Sequence, residues 1–236
     1  MDVSLIPNKQ LFIVTSALRP TIGVFSDQER YDQTMQTFIS IRKKCPGAYI
    51  LFADTSVREV PAMEFLSISK SVNYFMKMHP EYNADVIGLS QAGRKSEAET
   101  ALLYHVMVRM KVDPNLQQTV SSCNRIFKIS GRLELDDGFD VKEYDGLFGK
   151  YVFKKRIPSW MPEPRPIDSL FVTRLYSLCP SLIDNYMNVL RNNFQLLSHI
   201  DTEHAHRVNI PEKYLVEFDK VHCKGQVASN GQWEYD

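Results

Sequence analysis

The sequence predicts an α/β protein: one domain built on a mostly parallel sheet flanked by helices. Three observations carry this. Short apolar, β-prone runs end in small polar or charged residues, helical stripes follow them behind capping signals, and the two alternate along the chain. The 236 residues suit one large domain or two small ones, and a composition of 44% hydrophobic and 24% charged residues excludes disordered and fibrous classes.

Gln10 to Leu18 (QLFIVTSAL) reads as a buried parallel strand ending in small polar residues. Ser26 and Glu29 form a capping box, and the stripe Tyr31, Met35, Phe38, Ile39, Ile41 predicts a helix running to Lys44, where Pro46-Gly47 stops it. Ala48 to Ala53 is a second strand ending at Asp54-Thr55-Ser56, which completes a β-α-β unit with parallel strands. Ser67 to Met78 reads as helix, Ala84 to Leu89 as strand, and Glu97 to Lys111 as a helix entered through Gln91 to Ser96. Val120 to Ile129 is the next strand and stops at Ser130-Gly131-Arg132. Lys150 to Lys154 and Leu170 to Tyr176 are further strands on either side of a proline-rich loop, IPSWMPEPRP. Pro180 to Leu197 is a helix, and the chain after His199 is expected to be irregular or weakly helical. No internal repeat, low-complexity tract or linker divides the chain.

The 28 basic and 28 acidic side chains cancel, which counts against a protein whose whole surface grips nucleic acid. No apolar run approaches the roughly 18 residues needed to span a bilayer, so stable membrane insertion is not expected. MDVSLIPNKQ lacks a basic region followed by an apolar stretch, so no signal peptide is read there. Cys45, Cys123, Cys179 and Cys223 are far apart, as expected of reduced, buried thiols in a cytoplasmic protein (host cytoplasm, were it viral). Phosphate-binding P-loop and G-x-G-x-x-G dinucleotide signatures are absent.

Ligands of parallel sheets lie beyond the carboxyl ends of the strands, so chemistry is sought there. The first strand ends at Thr15-Ser16-Ala17 with Arg19 beyond it, the second at Asp54, and the fourth at Ser130 and Arg132. Gly93-Arg94-Lys95 forms a polar turn at a helix start, where free amides favour an anion. Arg174 sits inside the apolar run FVTRLYS and should meet a carboxylate or a phosphate. Asp201 to Arg207 is the densest titratable cluster; His204 and His206, two residues apart, do not share a helix face and read as surface residues. Asp54 as a turn cap, and Gly93 to Lys95 as a solvated helix start, are the plain alternatives.

In this order the elements resemble the nucleotide-sugar-binding half of GT-A-type glycosyltransferases, members of the Rossmann-like nucleotide-diphospho-sugar transferase superfamily. The resemblance covers Gln10 to Arg207 and rests on Arg30 to Ile41, Asp54-Thr55-Ser56, Gly93 to Ala98 and Thr202-Glu203-His204. FKISGR followed by TRLYS and the Glu-His pair is also similar to a group of glycosyltransferase-like proteins of bacteria and their viruses. The resemblance implies a nucleotide-binding part over residues 10–135 and an acceptor and catalytic part over 136–236. It implies that Asp54 and the Ser16-Ala17 turn hold the nucleoside, that Gly93 and His204 lie at the donor, and that Glu203 is the general base of an inverting reaction. In a retaining enzyme Glu203 would only position the acceptor.

One departure matters. Where the family has an acidic D-x-D that holds a metal, this chain has Ser130 and Arg132, and an arginine opposes a divalent cation. Lys95, Arg132 and Arg174 would then neutralise the departing diphosphate, with Lys128 ranked behind them because alternation places it two residues before Ser130 on one strand face. If Mn2+ or Mg2+ is used instead, Asp136 and Asp137 are its displaced ligands. The expected function is transfer of a sugar from a nucleotide-sugar to a hydroxyl of a glycan, a lipid-linked intermediate, a protein or a modified base. A non-catalytic nucleotide-binding or structural module of the same fold is the alternative, and a nucleotidyltransferase ranks last because TSALRPTIG lacks that class's glycine-rich loop.

Overall fold

The computed structural model describes residues 9–78, 83–162, 167–227 and 231–236. The first half alternates as expected: β1 (Lys9–Ser16), α1 (Asp27–Lys44), β2 (Tyr49–Asp54), α2 (Ala62–Ser71) and β3 (Tyr74–Lys77). Three helices follow, α3 (Ala84–Gln91), α4 (Lys95–Val112) and α5 (Pro114–Ser121), before β4 (Cys123–Ser130) and the short β5 (Leu133–Leu135). Then come β6 (Tyr151–Lys154), the two-residue strands β7 (Ile157–Pro158) and β8 (Ser169–Leu170), β9 (Leu175–Leu178), α6 (Ile183–Leu196) and α7 (Thr202–Asn209). Three strands close the chain: β10 (Leu215–Phe218), β11 (Cys223–Gln226) and β12 (Trp233–Tyr235).

The central sheet has seven strands in the order β10-β6-β9-β4-β1-β2-β3. All run parallel except β9, which is antiparallel to both β4 and β6. The expected α/β class with a mostly parallel sheet is the observed one. Alternate residues of each strand serve the two faces. Leu11, Ile13, Leu51 and Ala53 pack under α4 and α6, while Phe12, Val14, Ile50 and Phe52 pack with Phe38 and Ile41 of α1. Ser26 caps α1 as read, its Oγ accepting from Glu29 N while Glu29 reaches back to Ser26 N. Among the described residues no helix is long and apolar enough to cross a membrane.

Four expectations are corrected. Ala84 to Leu89 is helix α3, not strand, because a short apolar run has no decisive period and this one packs on α4, with Val86 and Ile87 in the core that covers β1 and β2. Gly93, at φ +72°, closes α3 in a Schellman motif, with Arg94 N bonded to Leu89 O and Gly93 N to Ser90 O. Ser67 to Met78 divides into the end of α2 and β3. In FVTRLYS only Leu175 onward joins the central sheet; Leu170 pairs with Ile157 in a separate two-stranded ribbon. The chain after His199 is not irregular: it forms α7, adds β10 to the central sheet, and folds β11 between β12 and β5. Of the proline-rich loop, residues 163–166 lie outside the described residues, as does the N-terminal segment before residue 9.

His206 is not a surface residue: it is 1% exposed, inside a polar network between α6 and α7. Its Nδ1 donates to Thr202 O (2.8 Å), and its Nε2 accepts from Tyr186 OH (3.2 Å), which in turn bonds Tyr176 OH. The amide of Asn193 fits the network with its oxygen toward His206 and its nitrogen toward the carbonyls of Val189 and Ala205. Burial pushes the imidazole down to about 4. The unfolded chain therefore binds this proton from about pH 6.5 while the folded chain refuses it, so the stability is fully present above pH 6.5 and falls as pH drops toward 4. Urea unfolding should show wild type losing about 1 kcal/mol more than His206→Gln per pH unit between pH 6 and 5. Equal slopes would remove His206 as the cause.

Candidate active site

The strand ends converge as the sheet order requires. β4 pairs with β1 in register from Gln10 with Arg125 to Thr15 with Ser130, so the ends of both strands stand side by side. Gly131 then makes the closest approach. A Cβ there would lie 2.9 Å from Ser16 Cβ, and the Gly131 backbone bonds Thr15 O through its N (2.8 Å) and Thr34 Oγ1 through its O (2.8 Å). The chain crossing at Gly131 delivers Arg132 to a pocket of about 150 Å³, whose wall includes Ser16, Ala17, Arg30, Lys95, Glu99 and Ser130. Lys95 also stands in the wall of a more open groove of about 540 Å³ lined by Glu97, Met161, Asp201 and His204.

Three cations of this pocket have no carboxylate partner among the described residues. Arg30, 6% exposed, bonds Ser16 Oγ (2.7 Å), Gln33 Oε1 (2.7 Å) and Ala17 O (3.4 Å), all neutral acceptors. Arg132 makes no ion pair, and its buried Nε has no hydrogen-bond partner. Lys95 opens α4, whose N-cap Arg94 supplies no side-chain cap. Burial is the first cause acting on each, and neighbouring guanidiniums add to it. Burial and then Arg132 bring Arg30 down to about 10, and burial, Arg132 and Arg30 lower Lys95. Burial chiefly lowers Arg132, while Glu99 and Glu203 hold it up. Arg30, visible in the sequence as the start of a helix pattern, was not read as a site residue; its reach back to Ser16 depends on how α1 crosses the sheet.

The expected base, Glu203, accepts from Thr173 Oγ1 (2.9 Å) through Oε1. Burial first, and then Asp201, raise its carboxyl. Lys128 is closer to the site than alternation suggested. Its four-carbon stem carries Nζ to Glu99 Oε1 (2.6 Å), Thr173 O (3.1 Å) and Ser130 Oγ (3.4 Å). Along EAETALLYHVMVRMK nothing sets Glu99 apart from Glu97, and only the packing of α4 over β1 and β4 turns it inward.

Several expected site residues serve the scaffold. Asp54 is fully buried, and its Oδ1 accepts from Leu18 N (3.1 Å), Ser56 N (3.2 Å) and Ser56 Oγ (2.7 Å), tying the loop after β1 to the end of β2. Its Oδ2 is buried without a hydrogen-bond partner, and the pocket is lined by the next residue, Thr55, rather than by Asp54. Arg19 lines the pocket, but its charge is matched by Glu64 (2.5 Å) and Asp27 (3.7 Å). Arg174 pairs with Glu234 of β12. His204 is fully buried, with Nδ1 on Asp201 Oδ1 (2.7 Å) and Nε2 on Ser159 Oγ (2.8 Å), which leaves no ring nitrogen for a donor. Asp136 bonds Gly138 N (2.7 Å) and faces His222 Nδ1 (3.3 Å), while exposed Asp137 faces Lys43 and Lys44. Those lysines end α1 whereas Arg30 begins it, about 21 Å away at 1.5 Å per residue. The acidic pair is a surface turn remote from the pocket.

No protein-family model matches the chain, and no curated protein matches it in sequence. Among solved structures, the mannosyltransferase Ktr4p of Saccharomyces cerevisiae superposes with a TM-score of 0.50 at 9% identity, over 90% of this chain and 69% of that one. The fold is GT-A-like. Core-mannan synthase A of Aspergillus fumigatus, in its Mn/GDP form, gives 0.48 at 9% identity (93% of this chain, 75% of that one), and mouse xyloside xylosyltransferase 1 gives 0.47 at 10% (90% and 85%). The fold brings the question of a divalent metal with it. At the end of β4 the side chains are a serine hydroxyl and an unpaired guanidinium. Nearby, Glu99 is held by Lys128 and Thr15, and Glu203 by Thr173. This donor set does not fit a divalent cation, which needs several free oxygen ligands and no adjacent fixed positive charge.

If Asp54 is a scaffold residue, Asp54→Ala strands three donors and should cost about 3 kcal/mol of stability in urea unfolding. A variant of wild-type stability would remove that role.

Proposed function

We propose that this chain is a glycosyltransferase that moves a sugar from a nucleotide-sugar to a hydroxyl acceptor, with fixed cations in the place of a metal. One observation carries the reading: Arg30, Lys95 and Arg132 face a single strand-end pocket and none has a carboxylate partner among the described residues. Arg30 is buried, Arg132 half-buried and Lys95 exposed at the rim; charge withdrawn from water without a counter-ion is unfavourable, and a diphosphate supplies the missing anion through charge-assisted hydrogen bonds. As the bond from the anomeric carbon to the diphosphate oxygen breaks, negative charge grows on the leaving group. Cations already in place stabilise it without reorganising.

Glu203 completes the step as base. Its Oε1 is held by Thr173, and a carboxyl raised by burial accepts a proton more readily than a solvated one. The acceptor hydroxyl gives that proton to Glu203, and its oxygen bonds the anomeric carbon. The nucleoside diphosphate leaves. The groove beyond Lys95, walled by Asp201 and His204, gives the acceptor its approach. On this reading residues 10–135 carry most of the donor site and 136–236 the base and acceptor side.

GDP and UDP should raise the melting temperature equally with and without EDTA, and Arg132→Ala should weaken binding of the preferred nucleotide at least about tenfold, the loss of one charge-assisted contact. Stabilisation that vanishes with EDTA would overturn the cationic arrangement. Glu203→Gln should keep nucleotide binding and lose transfer by about 100-fold or more. Full transfer in that variant would exclude the base role, and wild-type binding without turnover across a donor panel would favour a non-catalytic module.

A further inference from the structure

We infer that Glu99 sets the class of sugar the donor carries: a neutral sugar, with acidic sugars such as uronates rejected. The inference rests on the nucleotide-sugar reading and adds to it the polarity of the site. Glu99 stands in the pocket wall on α4, one turn after Lys95, with 34% of its side chain exposed. Its Oε1 is fixed from two sides, by Thr15 Oγ1 at 3.0 Å and by Lys128 Nζ at 2.6 Å. Lys128 is 2% exposed and anchored in turn on Thr173 O and Ser130 Oγ, so the carboxylate is held in one place. Its Oε2 carries no bond among the described residues and remains an acceptor on the pocket side.

Arg30, Lys95 and Arg132 line the same pocket as Glu99, which follows Lys95 by one turn on α4. A diphosphate on the cations places the attached sugar beside Glu99. Sugar hydroxyls donate to a carboxylate, so a neutral ring meets Glu99 Oε2 as a fixed acceptor. A carboxylate on the ring would meet the like charge of Glu99 instead, and such juxtaposition is a strong device for rejecting a wrong ligand.

UDP-glucose and UDP-glucuronate differ at C6 only, as do GDP-mannose and GDP-mannuronate, so each pair isolates the ring carboxylate. Titration calorimetry on the wild-type chain should show the acidic member binding at least about tenfold more weakly than the neutral one. Glu99→Gln should narrow that gap to about threefold or less by improving the acidic ligand. Because this variant leaves Lys128 without its counter-ion, Glu99→Gln with Lys128→Met, which removes both charges, is measured beside it and should narrow the gap likewise. Equal binding of the two members by wild type overturns the inference, as does a gap unchanged in both variants. UDP and GDP alone separate this outcome from failure of the underlying reading: if neither binds, the nucleotide-sugar site itself is refuted and the inference falls with it.

Discussion

The pairing of β1 with β4, closed by Gly131 against Ser16 and Thr34, is the constraint on which the candidate site depends. It brings two strand ends together without room for a side chain at the crossing, so the residue after the glycine must emerge into the pocket. That residue is Arg132. Asp54 completes the frame by holding Leu18 and Ser56 with one carboxylate oxygen, which sets the loops after β1 and β2 side by side. Hydrogen bonds between backbone and buried polar groups thus fix the geometry on which the charged groups act.

The electrostatics follow from that frame. A cluster of cations at the end of a sheet is unfavourable in the free protein, and the lowering of Arg30 and Lys95, by burial first and then by neighbouring guanidiniums, expresses that cost. Glu99 does not relieve it by direct pairing, because Lys128 and Thr15 already hold its bonded oxygen. The result is a pocket lined by cations and by one fixed carboxylate rather than a neutralised core.

Much of this was legible along the chain. The capping box at Ser26, the β-α-β order and the polar strand ends all report local chemistry, and all are found in the structure. Reading failed where local signals are silent. ADVIGL has no decisive period, and the glycine after it closes a helix. Short strands after His199 have too few residues to show alternation, yet β10 belongs to the main sheet because β6 supplies its hydrogen bonds. Glu99 and Arg30 were passed over because a single charged residue on a helix carries no sign of which way it faces.

The sequence by itself determined the class of fold, the order of its main elements and the serine and arginine at the end of β4, because these depend on residue type and short-range periodicity. Only the tertiary structure decided which charges remain without partners. Arg19 and Arg174 look as available as Arg132 when read along the chain, but Glu64 and Glu234, distant in sequence, have taken them. Pairing is a matter of distances between elements, and those distances exist only once the sheet and its covering helices are assembled.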